Sequence, residues 1–354
     1  MNYSQERNQK YTNKLRTELL PALPEFCKEF IVGISMKTTV LTRYNYASDL
    51  KTFFNFCVSE GGKFFGMNVK DITLKDLDTL KAVDFEAYLD YLSHYQTENK
   101  TLQNKESAKA RKFCALRALF RYLYTHDLIT QNATEKVSMP KIREKTILRL
   151  DDEEVIEVFD NFESENLFNS ENMNSYNNNN TKIRDIAIIT LLLTTGIRVS
   201  ELVGINMSDI DLENKKFSVI RKGEKESILY FADETAEAID NYILFRENYL
   251  KKKKIDVKSV APLFLSLQNK RISVRAVENI VKKYTKPVAP LKNISPHKLR
   301  STYGTALYRS TKDIYVVAEV LGHKDINTTK KHYAALDEDI KKSASETKLY
   351  KKDE

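Results

Sequence analysis

The segment that most constrains the fold is the apolar run from Ile183 to Thr195, which reads IRDIAIITLLLTT. Apolar side chains occur on nearly every side of a helix with this sequence, so such a helix needs neighbours around its whole circumference. The run is shorter than the ~20 residues that a helix needs to cross a bilayer. Gly196 follows it, and glycine commonly ends helices. We therefore expect the buried central helix of a globular domain in the C-terminal half.

Three amphipathic stretches in the N-terminal part of the chain predict further helices. Between residues 38 and 58, apolar residues recur at steps of three and four, which is the period of one buried helix face, and a pair of glycines ends the stretch. A second stretch runs from about residue 82 to residue 95, and a third begins near Glu106. The polar residues 99–103 between them predict a loop.

The chain is long enough for two domains, because 354 residues are about twice the length of a typical domain. Residues 139–149 contain a proline and several basic residues with little helical period, which indicates a linker between domains 1–138 and 150–354. Residues 163–180 are rich in Asn and Ser and predict a mobile surface insertion. Two β-rich runs, KFSVI and SILYF, flank a charged turn and predict a hairpin. The predicted fold is mainly α, with a helical first domain and a mixed α+β second domain that holds a small antiparallel sheet.

The charge of the chain favours a polyanionic partner. Lys and Arg number 57 against 49 Asp and Glu, which gives a net charge of +8 at pH 7, and such a field steers phosphates toward the protein. Residues 100–145 hold 11 Lys or Arg and 4 Asp or Glu, so most of the excess lies there. These basic residues are either a solvated face or contacts to nucleic acid phosphates, and composition leaves both open. The residues that we predict to contact DNA are Arg43, Lys109, Lys112, Arg117, Arg121 and Lys298.

Other classes of protein find little support in the sequence. The three cysteines form no CxxC pair, so we expect neither a disulfide scaffold nor a Cys-based zinc site. The polar N-terminus lacks the apolar segment of a signal peptide, and no stretch is long enough to cross a membrane. We therefore expect a cytoplasmic protein without a membrane partner. The chain has no GxxxxGK[ST] loop and no carboxylates spaced for two metal ions, so no cofactor and no metal is expected.

Four short segments of the C-terminal half carry polar residues that folding alone does not explain. They read GIRVSEL after the predicted buried helix, RKGEK at the hairpin tip, SPHKLR, and LGHKDINTTKKHY. In the third segment, His and Arg are three residues apart and therefore share a helix face. In chain order, the candidate functional residues of these segments are Arg198 and Glu201, Lys222, His297 and Arg300, and His323 and Tyr333.

Each segment alone matches many proteins, but together and in this order they resemble the signature of the tyrosine recombinases, the Xer-type and phage-integrase family of site-specific DNA recombinases. The resemblance covers most of the chain, with the four segments in the family's catalytic domain and residues 1–138 as its core-binding domain. It implies an enzyme that cuts and rejoins double-stranded DNA through a 3′-phosphotyrosine and a Holliday junction. It also implies a homotetramer on paired sites and leaves room for accessory recombination factors.

The resemblance assigns a role to each polar residue of the four segments. The residues that would activate the scissile phosphate are Arg198, Lys222, His297, Arg300 and His323. Tyr333 would be the nucleophile, and Glu201 would hold the guanidinium of Arg198. The chemistry agrees, because arginine forks suit phosphate oxygens, imidazoles move protons near neutral pH, and a lysine can protonate a leaving 5′ oxygen.

Two features depart from the common Xer-type pattern. Tyr333 follows His323 by ten residues rather than nine, and Tyr350 is the alternative nucleophile. The Asn-rich insertion is absent from compact relatives. Two other functions also stay open at this point, namely a type IB topoisomerase with the same chemistry and a catalytically idle DNA-binding protein with the same fold.

Overall fold

The computed structural model describes residues 3–97, 100–142, 148–163, 175–221, 225–323 and 326, without side chains at 95–102 and 163–180. It divides the chain into two compact units, residues 1–145 and 146–354, and the division falls inside the predicted linker. The helices of the first unit are α1 (Tyr3–Lys14), α2 (Glu25–Gly33), α3 (Val40–Val58), α4 (Leu74–Asp78), α5 (Ala82–Tyr91) and α6 (Glu106–Thr125). The helices of the second unit are α7 (Asp152–Glu163), α8 (Ser175–Thr195), α9 (Val199–Gly204), α10 (Asp233–Lys252), α11 (Val274–Thr285), α12 (Pro296–Thr311) and α13 (Ile314–Leu321). The strands are β1 (Tyr95–Thr97) and β2 (Lys100–Leu102) in the first unit, and β3 (Ile210–Asp211), β4 (Lys216–Ile220) and β5 (Glu226–Tyr230) in the second.

The core of the first unit is built largely from aromatic rings. Phe53 of α3 packs against Phe85 and Tyr88 of α5, with ring centroids 5.6 and 5.1 Å away. Phe85 also meets Phe120 of α6 edge to face at 5.1 Å. Edge and offset contacts of this kind add to the energy of apolar burial. The three predicted helical stretches are therefore present and share one core.

The segment between α5 and α6 differs from the predicted loop. Helix α5 ends at Tyr91, and the chain then forms a two-stranded antiparallel hairpin in which Tyr95 pairs with Leu102. Its strands carry tyrosine and threonine, which favour extended backbone. The prediction of a loop rested on polarity alone and overlooked this tendency.

Helix α8 is the centre of the second unit and lies between α10 and α12. Its apolar residues, such as Ile188 and Leu192, are fully buried, which confirms the predicted core helix. The helix begins at Ser175, so the last six residues of the predicted insertion are helical. A helix already nucleated by its buried part gains one hydrogen bond for each added residue, which lets it extend through an Asn-rich segment. Residues 164–174 lie outside the described part of the chain.

The predicted hairpin forms two strands of a small antiparallel sheet with the order β3, β4, β5. Strand β4 alternates in burial, with Phe217 and Val219 buried, and pairs with β5 as far as Ile220 opposite Glu226. A mainly helical chain with one small antiparallel sheet in its second unit is the predicted fold class, which is confirmed.

Membrane spans and metal clusters are both missing from the described part of the chain. None of its helices combines the length and apolarity of a membrane span. Nor do its His, Cys, Asp and Glu side chains form any group of three or more that could hold a metal ion. Cys27 and Cys57 are buried and Cys114 is exposed, all three as free thiols.

Candidate active site

Two helices of the second unit end at glycines in the left-handed conformation. Gly196, with φ of +60°, ends α8, and Gly322, with φ of +62°, ends α13. A Cβ atom at Gly196 would lie 2.4 Å from the ring of Tyr303, so both the backbone and the space require glycine there. The last carbonyls of a helix have no partner within it and carry partial negative charge. Both ends therefore offer acceptors to cations.

Arg300 connects the two helix ends. It lies in the second turn of α12 and is only 4% exposed. Its Nη1 donates to the carbonyl of Gly196 at 2.6 Å, and its Nη2 donates to the carbonyl of Leu321. Because the guanidinium is planar, two bonds in different directions fix the orientation of the whole group.

Arg198 lies at the start of α9 and binds the same end of α13. Its Nη2 donates to the carbonyl of Gly322 at 2.9 Å, and its Nη1 donates to Oε1 of Glu201 at 2.8 Å. The other oxygen of the Glu201 carboxylate accepts from the backbone N–H of Arg198 at 3.1 Å. The buried carboxylate thus holds both the backbone and the side chain of this arginine.

A third arginine, Arg221, also binds the end of α13. Its Nη1 donates to the carbonyl of Glu319 at 3.3 Å, and its Nη2 donates to the carbonyl of Val320 at 2.7 Å. Burial lowers the pKa of the Arg221 guanidinium, as does the charge of Arg198, whereas Glu201 raises it. No local pattern in the sequence singles out Arg221 within the charged hairpin tip, because its partners lie almost a hundred positions later.

These contacts concentrate positive charge at one place. The guanidinium groups of Arg198, Arg221 and Arg300 bind the carbonyls of residues 319–322, which are four successive residues. We call this group the arginine cluster. Carbonyl oxygens are neutral, so they orient the cations without cancelling their charge, and Glu201 offsets one of the three. Such a preorganised excess of positive charge is suited to an anion such as a phosphate.

The two predicted histidines occupy different surroundings. The backbone N–H of His323 donates to the carbonyl of Ala318 at 2.9 Å, as expected after a left-handed glycine. This bond places His323 at the same helix end as the arginine cluster. His297 lies in the first turn of α12, one turn before Arg300. It is exposed, whereas Arg300 is buried. The structure therefore places the two residues in successive turns but at different depths.

Three of the predicted residues lie outside the described part of the chain, namely Lys222, Tyr333 and the alternative nucleophile Tyr350. Tyr303, one turn after Arg300, is a tyrosine close to the arginine cluster. Burial raises the pKa of Tyr303, which disfavours the phenolate. A half-buried tyrosine that packs beside Gly196 and Leu321 suits packing better than nucleophilic attack.

Comparison with known proteins assigns the chain to a family. The description "phage integrase family" matches residues 157–339, and the description "phage integrase SAM-like domain" matches residues 22–139. The tyrosine recombinase XerC of Caldanaerobacter subterraneus subsp. tengcongensis is 34% identical over 340 residues, which are 93% of this chain and 87% of that protein. The chain belongs to the phage integrase family, the tyrosine recombinases. The XerS recombinase of Streptococcus mutans is 29% identical over 335 residues, which are 88% of this chain and 92% of that protein.

Solved structures of tyrosine recombinases share the fold. The XerH site-specific recombinase bound to a palindromic difH substrate, a post-cleavage complex, has a TM-score of 0.61 and 20% identity, and the match covers 97% of this chain and 89% of that chain. A lambda integrase dimer bound to a COC′ core site has a TM-score of 0.56 and 15% identity, with coverage of 86% and 92%. At these identities the comparison concerns the fold alone.

The predicted DNA contacts in the first unit of this recombinase need one correction. Lys112 of α6 is 8% exposed, and its ammonium group lies 3.2 Å from Oδ1 of Asp49. Arg111, which is exposed, binds both oxygens of the same carboxylate, with Nη1 on Oδ2 and Nη2 on Oδ1. Lys112 therefore stabilises the packing of α6 against α3, and we remove it from the predicted contacts. The helical period of α6 alone does not show this, because Asp49 is 63 residues earlier.

The other predicted contacts differ in the exposure of their side chains and in the partners that these side chains have within the protein. Nη2 of Arg117 donates to the carbonyl of Val137 at 2.6 Å. Lys109 lies 3.0 Å from a carboxylate oxygen of Glu106. Arg121 is exposed, and a surface depression of about 230 Å³ lies beside it. Half-buried side chains are found at Arg43 and Lys298.

Proposed function

We propose that this chain is a site-specific DNA recombinase that cuts and rejoins strands of double-stranded DNA at paired sites, as a tetramer and through a Holliday junction. The observation that carries the proposal is the arginine cluster at the end of α13, formed by segments that match the phage integrase family. The printed names and titles of the relatives support it, since XerC and XerS are called tyrosine recombinases and XerH is bound to its difH substrate.

Arg198 and Arg300 of the arginine cluster would bind and activate the scissile phosphodiester. Nucleophilic attack on the phosphodiester passes through a pentacoordinate phosphorus that carries more negative charge than the ground state. Fixed cations therefore lower the barrier. Arg198 and Arg300 would donate to the non-bridging oxygens as planar forks. The bonds of both groups to helix-end carbonyls hold them in place before DNA binds. Little reorganisation is then needed during the reaction.

The covalent step would use Tyr333 as the nucleophile. Its phenolic oxygen forms a bond to phosphorus while the bond from phosphorus to the 5′ oxygen breaks. The phenol gives up its proton to a base, for which His297 and His323 are the candidates, and the 5′ oxygen takes a proton from Lys222. The phosphotyrosine conserves the energy of the broken bond, so a 5′ hydroxyl can later attack it and rejoin the strands.

The partner and the location follow from the same proposal. Double-stranded DNA is the proposed substrate, further copies of this chain are the proposed assembly partners, and accessory recombination factors remain a prediction. The predicted cytoplasmic location is consistent with an enzyme that acts on DNA.

The test is a recombination assay on a plasmid. Genomic fragments that the purified protein binds are sequenced, and two copies of the recovered site are placed on a supercoiled plasmid. We expect recombinant products whose formation requires both sites, with Tyr333→Phe as the inactive control. Relaxation of a plasmid without the site would instead indicate a topoisomerase. Binding without cleavage would indicate an idle DNA-binding protein, and either result would overturn the proposal.

A further inference from the structure

Arg221 lies at the base of the hairpin tip, and its backbone is fixed there. Strands β4 and β5 pair as far as Ile220 and Glu226. Beyond this pair, the N–H of Arg221 donates to the carbonyl of Lys225 at 2.8 Å, which closes the base of the tip. Since the side chain binds α13, Arg221 is anchored at two points, one in the hairpin and one on a helix.

The contact between Arg221 and α13 depends on a glycine. A Cβ atom at Gly322 would lie 2.2 Å from Nη1 of Arg221 and 2.7 Å from its Cζ. Any other residue at this position would push the guanidinium away. Gly322 therefore serves the left-handed end of α13 and also the close approach of Arg221.

The same helix end holds the base of the hairpin and the proposed phosphate-binding arginines. Arg221 donates to the carbonyls of Glu319 and Val320, and Arg300 donates to the next carbonyl along the chain, that of Leu321. The carbonyl of Glu319 also accepts from the backbone N–H of Gly322 at 2.9 Å. All three carbonyls lie at the negative end of the helix dipole, so binding a cation stabilises them. A shift of Arg221 relative to α13 would also be a shift relative to Arg300.

Lys222, the proposed proton donor, directly follows Arg221 in the chain. Consecutive Cα atoms are ~3.8 Å apart, so an anchor at Arg221 restricts where the next side chain can start. Proton transfer requires a donor within hydrogen-bond reach of the oxygen that accepts the proton. A lysine side chain has a long, flexible stem, so restricting where it starts reduces the positions that its ammonium group can reach.

We propose that Arg221 is a positioning residue for protonation of the leaving group. By holding the base of the hairpin tip on the end of α13, it keeps Lys222 within reach of the 5′ oxygen of the phosphate bound by Arg198 and Arg300. The proposal rests on the proposed function and on Lys222 as the acid.

The test compares two leaving groups in one DNA site. Nicked duplexes carry the site recovered above with either oxygen or sulfur at the 5′ bridging position of the scissile phosphate. A 5′ thiolate leaves without a proton, because a thiol is a far stronger acid than an alcohol. We expect Arg221→Gln to slow cleavage of the oxygen substrate by ~10- to 100-fold, the range for a misplaced catalytic group, and to cleave the sulfur substrate at nearly the wild-type rate. Lys222→Ala should show the same selective rescue.

The matched control is Arg271→Gln. Arg271 also binds carbonyls at a helix end, those of Val203 and Ile205 near the end of α9, so it tests the general loss of such an arginine. Any slowing that it causes should be equal on the two substrates. Equal slowing of Arg221→Gln on both substrates, or full activity on oxygen, would overturn the proposal for Arg221. Failure of the wild-type protein to form an adduct on either substrate would overturn the proposed function itself.

Discussion

Two groups of basic residues, one in each unit of this recombinase, are held by different kinds of acceptor. In the first unit, Lys112 and Arg111 share the carboxylate of Asp49, and Lys109 pairs with Glu106. In the second unit, the arginine cluster binds carbonyl oxygens at a helix end, with Glu201 as its paired carboxylate. A carboxylate neutralises the cation that it holds, whereas a carbonyl only orients it.

The difference separates basic residues that stabilise the fold from those that remain able to attract an anion. Net charge alone does not make this distinction, because residues 100–145 are rich in Lys and Arg and still place Lys112 in a buried ion pair. Three guanidinium groups gathered on neutral acceptors at one helix end therefore indicate an anion site better than a high local count of basic residues does.

The largest expected effect comes from replacing a planar guanidinium group of the arginine cluster by the ammonium group of a lysine. Arg300→Lys and Arg198→Lys keep the charge but lose the two-directional bonds, and we expect cleavage to slow by ~10²- to 10³-fold, the usual effect of losing one oriented donor. Single-turnover cleavage of a nicked site measures it. The matched control is Arg309→Lys, also on α12, whose exposed ion pair with Asp152 contributes little. Near wild-type cleavage by both cluster variants, with DNA binding retained, would show that these arginines are purely structural.

The next effect concerns stability in the first unit. Asp49→Asn removes the charge that holds Lys112 and Arg111, and we expect the free energy of unfolding to fall by about 1.5–3 kcal/mol, as for hydrogen bonds to charged groups. Lys112→Met removes the buried charge together with its need for a partner, so it should cost less. Urea unfolding of the full chain measures both. A larger loss for Lys112→Met than for Asp49→Asn would contradict the assignment of Asp49 as the group that compensates the buried charge.

The smallest effect concerns DNA affinity. Arg121 is exposed, and if it contacts a phosphate, Arg121→Gln should reduce the slope of log affinity against log salt by ~0.9. Lys112→Met should leave the slope unchanged, because the ammonium group is already paired with Asp49. A titration of binding against salt concentration distinguishes the two. The reverse pattern would restore Lys112 as the DNA contact.

Local sequence signals predicted much of this fold. The apolar run of α8, the β-rich run of β4 and the glycine after α8 are all local signals, and the structure contains all three features. Errors arose where local signals were weak, as in the hairpin at residues 95–102 and the Asn-rich start of α8.

Spacing in the sequence predicts individual contacts of the candidate site but not its arrangement. Arg198 and Glu201 are three positions apart, so their pairing could be predicted from spacing. Arg221 and its acceptors on α13 are almost a hundred positions apart, and no local pattern in the sequence connects them. The buried pairing of Lys112 was missed for the same reason.

The most direct test of the account is to identify the residue that becomes joined to DNA. A nicked duplex carrying the recovered site is incubated with the wild-type protein, and the trapped adduct is digested and mapped by mass spectrometry. We predict a phosphotyrosine bond at Tyr333, and no adduct with Tyr333→Phe although that variant still binds the site. An adduct at Tyr350, or one that persists in Tyr333→Phe, would contradict the proposed active site.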